Sequence, residues 1–345
     1  MKSLAEEIGT SVSNIYRIRK MGTVEVLSTN LKPYKDYSAM AVVNIFNDGK
    51  KRPNSLKLHK AKNFINRVVK MVQKKHTGGD NKFDLTSIDE AVNSLILDYP
   101  ELYPEDARVC TKTIYNYVHR MLIDIKPIDL PRMSGLRGKS HINKDKLALE
   151  KGQKGVSIDY RPDIASRAEF GHWEGDLVTG PRDDKRSAFL TLLERKTRAY
   201  IMMAIDSKSA QNVLDCINKL HDFFGDDFSK VFKDITFDNG NEFAYWKEME
   251  TDPKTGEKRT SVFFAHPYCS YERDSNENCN GLIRRFIKKG TDVNKIDPDV
   301  SIKINKAINK KRRKIHGYLS SEKMFINELQ KLGTSKSKAN FYRII

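Results

Sequence analysis

Three acidic residues stand where a carboxylate could hold a metal ion. They are Asp176 in His172-Trp173-Glu174-Gly175-Asp176-Leu177-Val178, Asp238 in Ile235-Thr236-Phe237-Asp238-Asn239-Gly240, and Glu277 in Ser275-Asn276-Glu277-Asn278-Cys279-Asn280-Gly281. Magnesium takes hard oxygen ligands. Three carboxylates can hold two Mg2+ ions about 3.5 to 4 Å apart, one activating a water or a DNA 3'-hydroxyl and the other stabilising the leaving oxygen of an in-line displacement. Mn2+ is expected to substitute. No protein nucleophile is then required, and none stands out. Glu174 and Glu194 are rival ligands, with Glu174 ranked behind Asp176 as an outer, supporting residue.

The charge around these acids says what the substrate is. Lys and Arg number 62 against 45 Asp and Glu, a formal net charge of +17 over 345 residues. The excess lies on the flanks: 26 basic against 17 acidic residues in 1–150, 24 against 26 in 151–300, and 12 against 2 in 301–345. Basic flanks around an acid-bearing centre fit a protein that grips phosphates at its ends and reacts in its middle. Double-stranded DNA is the expected partner.

Composition excludes other classes. No run approaches the roughly 18 apolar residues of a membrane span, and Met1-Lys2-Ser3-Leu4-Ala5-Glu6-Glu7 lacks the apolar core of a signal peptide, so a cytoplasmic, nucleoid-associated protein without a membrane partner is expected. The four cysteines, Cys110, Cys216, Cys269 and Cys279, form no Cys-x-x-Cys pair, which excludes a zinc ribbon and a disulfide framework. His266, Cys269 and Cys279 match no common zinc spacing.

The elements that must position the acids are legible in part. Residues 1–20 read as two short helices, one with Leu4, Ala5 and Ile8 inward, a turn at Gly9, then a second from Ser11 to Lys20. In a helix-turn-helix the second helix enters the major groove, making Ser13, Asn14, Tyr16, Arg17 and Lys20 candidate DNA contacts. Helical periodicity returns at Phe64, Ile65, Val68, Val69 and Val72, and a helix-turn-helix-like pattern spans Ser87–Leu122 with Thr111 as an expected N-cap. Whether that second block reads DNA or packs on its neighbours is open in the sequence. Lys126 to Gly155 is rich in Pro, Gly, Lys and Arg and reads as a linker.

From about Val156 strands and helices alternate. Strands are expected at Trp173–Val178, Ala188–Leu193, Ala199–Ile205, Asp234–Phe237 and Val262–Ala265, with a helix after Ser209. This order predicts an α/β core, a mixed sheet with flanking helices, behind an all-α N-terminal region. If the strands that carry Asp176 and Asp238 are neighbours, the two carboxylates meet. A helix over Ser275–Ile287 would seat Leu282, Ile283, Phe286 and Ile287 on the sheet and carry Glu277, Asn280, Arg284 and Lys288 on the other side, with Asn280, Arg284 and Lys288 as candidate DNA contacts. The expected layout is a helix-turn-helix region at 1–50, a second helical region at 51–125, a basic linker at 126–158, the catalytic domain at 159–325 and a basic tail at 326–345.

The three motifs, in this order, resemble those of the insertion-sequence-thirty family of bacterial transposases. The resemblance extends to Lys289-Gly290-Thr291-Asp292, to Phe264-Ala265-His266-Pro267-Tyr268 and to Leu193-Glu194-Arg195-Lys196-Thr197-Arg198, and covers roughly residues 110–292. It implies a ribonuclease-H-like (integrase-like) core and a catalytic triad of Asp176, Asp238 and Glu277, with Arg284 as the basic residue two turns beyond the glutamate. It also implies N-terminal helix-turn-helix units that bind the element's terminal inverted repeats, and action as a homo-oligomer on those repeats and on target DNA. The chain departs from the family pattern in two places. The second and third acids have 38 residues between them, 239 to 276, with Asp252–Glu257 as an inserted hairpin turn, and the chain starts almost inside the first helix-turn-helix. A catalytically decayed DNA-binding repressor and a metal-dependent nuclease without strand transfer are the competing readings.

Overall fold

The computed structural model describes residues 2–27, 32–50, 54–127, 130, 155–162, 167–180, 187–267, 269, 272 and 274–334, and excludes the side chains of residues 27, 44, 46–50, 54–56, 274, 275 and 277. The chain divides into two compact units, 1–65 with 103–109, and 66–102 with 110–345. Most of the expected linker, 131–154, and the end of the expected tail, 335–345, lie outside the described residues.

The first unit opens with α1 (Lys2–Ile8) and α2 (Val12–Gly22), joined by a three-residue turn. Gly9 takes φ 68° there, a left-handed value open to glycine, and Ser11 caps α2 by accepting the Asn14 N–H at 3.2 Å. Ala5 and Ile15 are buried. The next segment is not helical as the all-α reading expects: β1 (Thr23–Leu27) and β2 (Pro33–Tyr37) pair as an antiparallel hairpin before α3 (Ala39–Lys50) and α4 (Asn54–Lys60). The physical reason is local. Val24, Val26, Tyr34 and Tyr37 are strand formers around a Pro, and every β2 residue is exposed, so no helical or core period announces the strands.

α5 (Lys62–Gln73) carries the buried Phe64, Ile65, Val68 and Val72, and the division between the units falls within it. In the second unit, α6 (Ile88–Asp98) and α7 (Thr111–His119) pack together. Thr111 is not the cap of α7; Cys110 holds that position without a side-chain capping bond, and the Thr111 hydroxyl donates to Asp89 at 3.1 Å.

The central sheet holds β3 (His172–Thr179), β4 (Ala188–Glu194), β5 (Tyr200–Ile205), β6 (Asp234–Phe237) and β7 (Ser261–Phe264) in the order β5-β4-β3-β6-β7. β3, β4 and β5 are antiparallel neighbours, while β6 runs parallel to β3 and β7 parallel to β6. Between β5 and β6 run α8 (Ala210–Phe224), capped by Ser209, and the short α9 (Phe228–Val231); α10 (Trp246–Glu250) precedes β7. This mixed five-stranded sheet with its crossover helices is the ribonuclease-H-like, integrase-like topology. Asp252 to Glu257 forms the expected tight turn, with Thr251 bridging Lys258.

The chain ends in α11 (Asp274–Ile283), α12 (Pro298–Lys310), a two-residue ladder of β8 (Arg312–Arg313) with β9 (Leu319–Ser320), and α13 (Ser321–Lys331). Side-chain alternation gives the sheet two buried faces. Trp173, Leu190, Leu192, Ile201, Met203, Ile235 and Phe237 meet α8 and α13, while Val178, Phe189, Leu193, Tyr200 and Met202 meet α11 and α12. The boundary expected at 325 falls inside α13, whose Phe325 and Leu329 belong to the first of these cores.

Candidate active site

β3 presents Glu174 and Asp176 on the face that carries α11 and α12, because it alternates with Trp173 on the other. The register pairs His172 with Asp234, Trp173 with Ile235 and Glu174 with Thr236. Extending it by two residues sets Asp238 beside Asp176, on the same face. Both are half-buried, at the point where β6 ends. Asp238 closes a turn by accepting the Gly240 N–H at 3.0 Å, and Asn239 donates to the Ala265 carbonyl at 2.7 Å, which ties that turn to the strand next door. Asp176 accepts from the Leu177 N–H at 2.9 Å through Oδ1.

α11 is laid along β3 by bonds from three residues in sequence. Asn276 donates its backbone N–H to Glu174 Oε2 at 3.2 Å and its side-chain amide to the Glu174 carbonyl at 3.3 Å. Asn280 Nδ2 donates to Asp176 Oδ2 at 2.8 Å. Arg284, just past the helix, donates to the Thr179 carbonyl at 2.8 Å. Four helical residues rise about 6 Å and two strand residues about 6.6 Å, so the spacings match and the helix follows the strand. Glu277 sits on the backbone between the first two anchors, and its side chain lies outside the described residues. Among the described residues no group of three His, Cys, Asp or Glu side chains converges as a metal site.

The expected helix over Ser275–Ile287 is shorter at its end. α11 stops at Ile283, because the next turn tightens, with Arg285 N–H to Leu282 O at 3.1 Å and Phe286 N–H to Ile283 O at 2.9 Å. Leu282, Ile283 and Ile287 are buried as expected. Asn280, expected on the DNA side, instead bridges two protein groups: its Oδ1 accepts from the Tyr200 hydroxyl at 2.7 Å while its Nδ2 holds Asp176. Arg284 is half-buried on Thr179, and burial lowers its guanidinium pKa. Lys288 is exposed, beyond the helix.

Glu174 is 1% exposed and Glu194 is fully buried, so neither is open to solvent as a ligand would be. Burial pushes the Glu174 carboxyl up, opposed by the Arg195 and Arg198 guanidiniums; Arg195 Nε lies 3.0 Å from Glu174 Oε1 as an ion pair not aligned as a hydrogen bond. Glu194 accepts from the Thr197 N–H and hydroxyl at 2.6 Å and from the Gly171 N–H at 3.1 Å, which fixes the β4–β5 turn. Asn276 and Tyr200 escape the sequence reading. A signal existed for Asn276, which adjoins Glu277, but an aromatic in a buried strand carries no mark of its hydroxyl's partner.

In the first unit, Ser13, Tyr16, Arg17 and Lys20 are exposed on α2, and Asn14 is half-buried with its amide on Thr10 at 2.9 Å. In the second, α6 turns acids toward the C-terminal segment: Lys311 Nζ meets Glu90 at 2.7 Å, Arg312 meets Asp98 at 2.8 Å and the Tyr318 hydroxyl donates to Asp89 at 2.8 Å. That face of the second helical block packs within the protein. His266 binds Glu272 at 2.8 Å and Asp159 at 3.1 Å through its two ring nitrogens.

Residues 166–260 match the family model of the integrase core domain. This chain carries an integrase core and is similar to the IS30-family transposases. A probable transposase for the insertion-like sequence element IS1161, from Streptococcus salivarius, is 41% identical over 220 residues, covering 62% of this chain and 58% of that protein. Transposase InsI for insertion sequence element IS30C, from Escherichia coli (strain K12), is 34% identical over 182 residues, 52% of this chain and 45% of that protein. The chain thus spans about half the length of these curated relatives. The catalytic core domain of BIV integrase aligns over its whole length and 48% of this chain at 14% identity and a TM-score of 0.34, a likeness too remote to add to the topology. No helix among the described residues is long and apolar enough to cross a membrane.

Proposed function

We propose that the chain is a transposase that binds the terminal inverted repeats of an insertion element and cleaves and joins DNA strands with Asp176, Asp238 and Glu277 as its catalytic carboxylates. What supports this reading is one sheet face: the β3–β6 register, continued two residues past its last pair, puts Asp238 next to Asp176, and Asn276 and Asn280 bracket the Glu277 backbone against the same strand. The donor set suits a hard divalent cation, since two half-buried carboxylates, one within β3 and one just past the end of β6, share a sheet face and the third acid lies on the helix laid along β3. Two Mg2+ ions, or Mn2+ in their place, would supply the Lewis acid that activates the attacking oxygen and steadies the leaving one.

The protein's own residues do the rest. Asn280 and the Asp238 turn orient the two aspartates, Arg284 fixes the helix end on β3, and Lys288 is left exposed for phosphate. On α2, Ser13, Tyr16, Arg17 and Lys20 offer an exposed polar and basic row for the inverted repeat, with Asn14 beside them. Action on two element ends and a target DNA is proposed to need a homo-oligomer, working at the nucleoid.

The test incubates the purified chain with Mg2+ and DNA carrying the element's ends, beside Glu277→Gln and Asp176→Asn. Nicking and joining by the wild type, with binding alone by both variants, is the expected result. Binding without cleavage by the wild type would favour a repressor, nicking without joining a nuclease, and equal activity from Glu277→Gln would remove that residue from the reaction.

A further inference from the structure

We propose that Glu174 is a positioning residue: it fixes the first turn of α11 on β3 and thereby sets the backbone of Glu277 relative to Asp176. This rests on the three-acid reading above and adds a residue that touches neither metal nor DNA.

The first four N–H groups of a helix have no partner within it. In α11 these include those of residues 274–276, and the Asn276 N–H is taken by Glu174 Oε2 at 3.2 Å. The carboxylate therefore acts as a cap supplied from another element, with its negative charge at the positive end of the helix. The Glu174 main chain grips the same residue, its carbonyl accepting from Asn276 Nδ2 at 3.3 Å. Both ends of Glu174 thus hold one residue, the one just before Glu277. Glu174 and Asn276 are each 1% exposed, so water offers neither group a substitute.

A carboxylate is an expensive way to fill a buried position unless its charge is used, because desolvating it is compensated only by a close partner and further hydrogen bonds. Arg195 Nε at 3.0 Å supplies the partner. The result couples two functions on one strand face: Asp176 points its carboxylate to the Asn280 end of α11, and Glu174, two residues earlier, anchors the other end. Loss of the Glu174 carboxylate would leave the Asn276 N–H without its acceptor and the turn that carries Glu277 held only by the Glu174 carbonyl on the Asn276 side chain, with Asn280 and Arg284 beyond it.

The experiment titrates Mn2+ into the full-length chain and follows the free ion by electron paramagnetic resonance. Glu174→Met with Arg195→Met removes the acceptor without stranding a buried guanidinium; Glu174→Gln with Arg195→Met keeps an oxygen for the Asn276 N–H. The Met pair is expected to weaken Mn2+ binding about tenfold, as outer supports of metal ligands do, and the Gln pair to recover most of it. Added to Glu277→Gln, the Met pair should weaken binding no further. Equal affinity of the Met and Gln pairs, or losses that multiply with Glu277→Gln, would overturn the positioning role alone. No effect of Glu277→Gln by itself would instead remove the three-acid site and the proposal with it. If the Met pair does not fold, hydrogen exchange of the wild type decides: the Asn276 amide should exchange as slowly as those of β4, and exchange at the rate of an exposed helix end would overturn the assignment.

Discussion

Asn309 closes the open edge of the sheet, and replacing it should be among the most damaging single changes in the protein. β5 is an edge strand, so at alternate residues its N–H and C=O point away from β4 with no strand to meet them. At Tyr200 both groups are met by one side chain from α12. The Tyr200 N–H donates to Asn309 Oδ1 at 2.8 Å, and Asn309 Nδ2 donates to the Tyr200 carbonyl at 2.7 Å. The amide also donates to the Asn305 carbonyl at 3.0 Å, and Asn309 is fully buried. Asn309→Leu keeps the branching of the side chain and orphans both Tyr200 groups.

Each orphaned buried group costs about 1–3 kcal/mol. Allowing for the extra apolar burial of leucine, the net loss is about 3 kcal/mol. At about 2–4 °C per kcal/mol for a unit of this size, the melting temperature should fall by about 6–12 °C. Both tryptophans, Trp173 and Trp246, lie in the second unit, so a fluorescence melt reports that unit without the first. Asn309→Asp should be worse than leucine, since it sets a carboxylate oxygen against the Tyr200 carbonyl and buries an unpaired charge. A fall under about 2 °C for Asn309→Leu, or an aspartate variant more stable than the leucine one, would refute this account of the edge.

Three further outcomes are expected. Burial opposes protonation of His172, but Asp234 at 2.6 Å and Glu169 at 3.2 Å outweigh it and raise its pKa above the ordinary 6.5. A raised folded value means that the stabilisation is complete below about pH 6.5 and is lost as pH climbs through the folded value, so urea midpoints should decline on the alkaline side in wild type and less in His172→Gln; equal declines would refute the link. A Cβ on Gly175 would stand 2.1 Å from Phe237 Cε1, and Phe237 is stacked on Phe243 at 4.2 Å. Gly175→Ala should therefore destabilise the second unit by about 1–3 kcal/mol in chemical denaturation and disturb Asp238, the residue after Phe237, with an unchanged midpoint as the contrary result. DNA affinity, followed by fluorescence anisotropy, should fall steeply between 50 and 200 mM salt, and less steeply once Arg17 and Lys20 are changed to Ala; matching slopes would exclude those two from phosphate contact.

The sheet was legible because its strands are short apolar runs bounded by turn signals. Asp234–Phe237 appears with the expected limits, and the other four agree within a residue at either end. The β1–β2 hairpin was hidden for the opposite reason, since an exposed ribbon has no buried face to impose a period on its residues. α13 shows a different failure. Its polar composition reads as a basic tail, while two apolar residues four apart, Phe325 and Leu329, suffice to seat it in the core. α12, which the sequence reading does not place, begins at Pro298 behind the Asp297 cap.

At the site, the sequence displays the groups that would do chemistry and conceals those that hold them. Asp176 stands out as a carboxylate inside a strand and Asp238 as one at the end of a strand, before Asn239-Gly240, and the register follows once β3 and β6 are neighbours. Asn280 shows how the same residue type misleads. A polar amide one turn past an acidic residue looks like a ligand for DNA, because sequence spacing gives its angle on the helix but not the surface that angle faces. Tyr200 and Asp176 decide that surface, and they lie 80 and 104 residues away in the chain. Tyr200 is also the residue whose backbone Asn309 caps, so one edge residue joins the closure of the sheet to the orientation of Asp176. Damage at Asn309 should therefore reach the site even in molecules that remain folded: in Asn309→Leu below its melting range, Mn2+ binding should weaken along with stability, whereas an edge cap of equal energy elsewhere on the sheet would leave it unchanged.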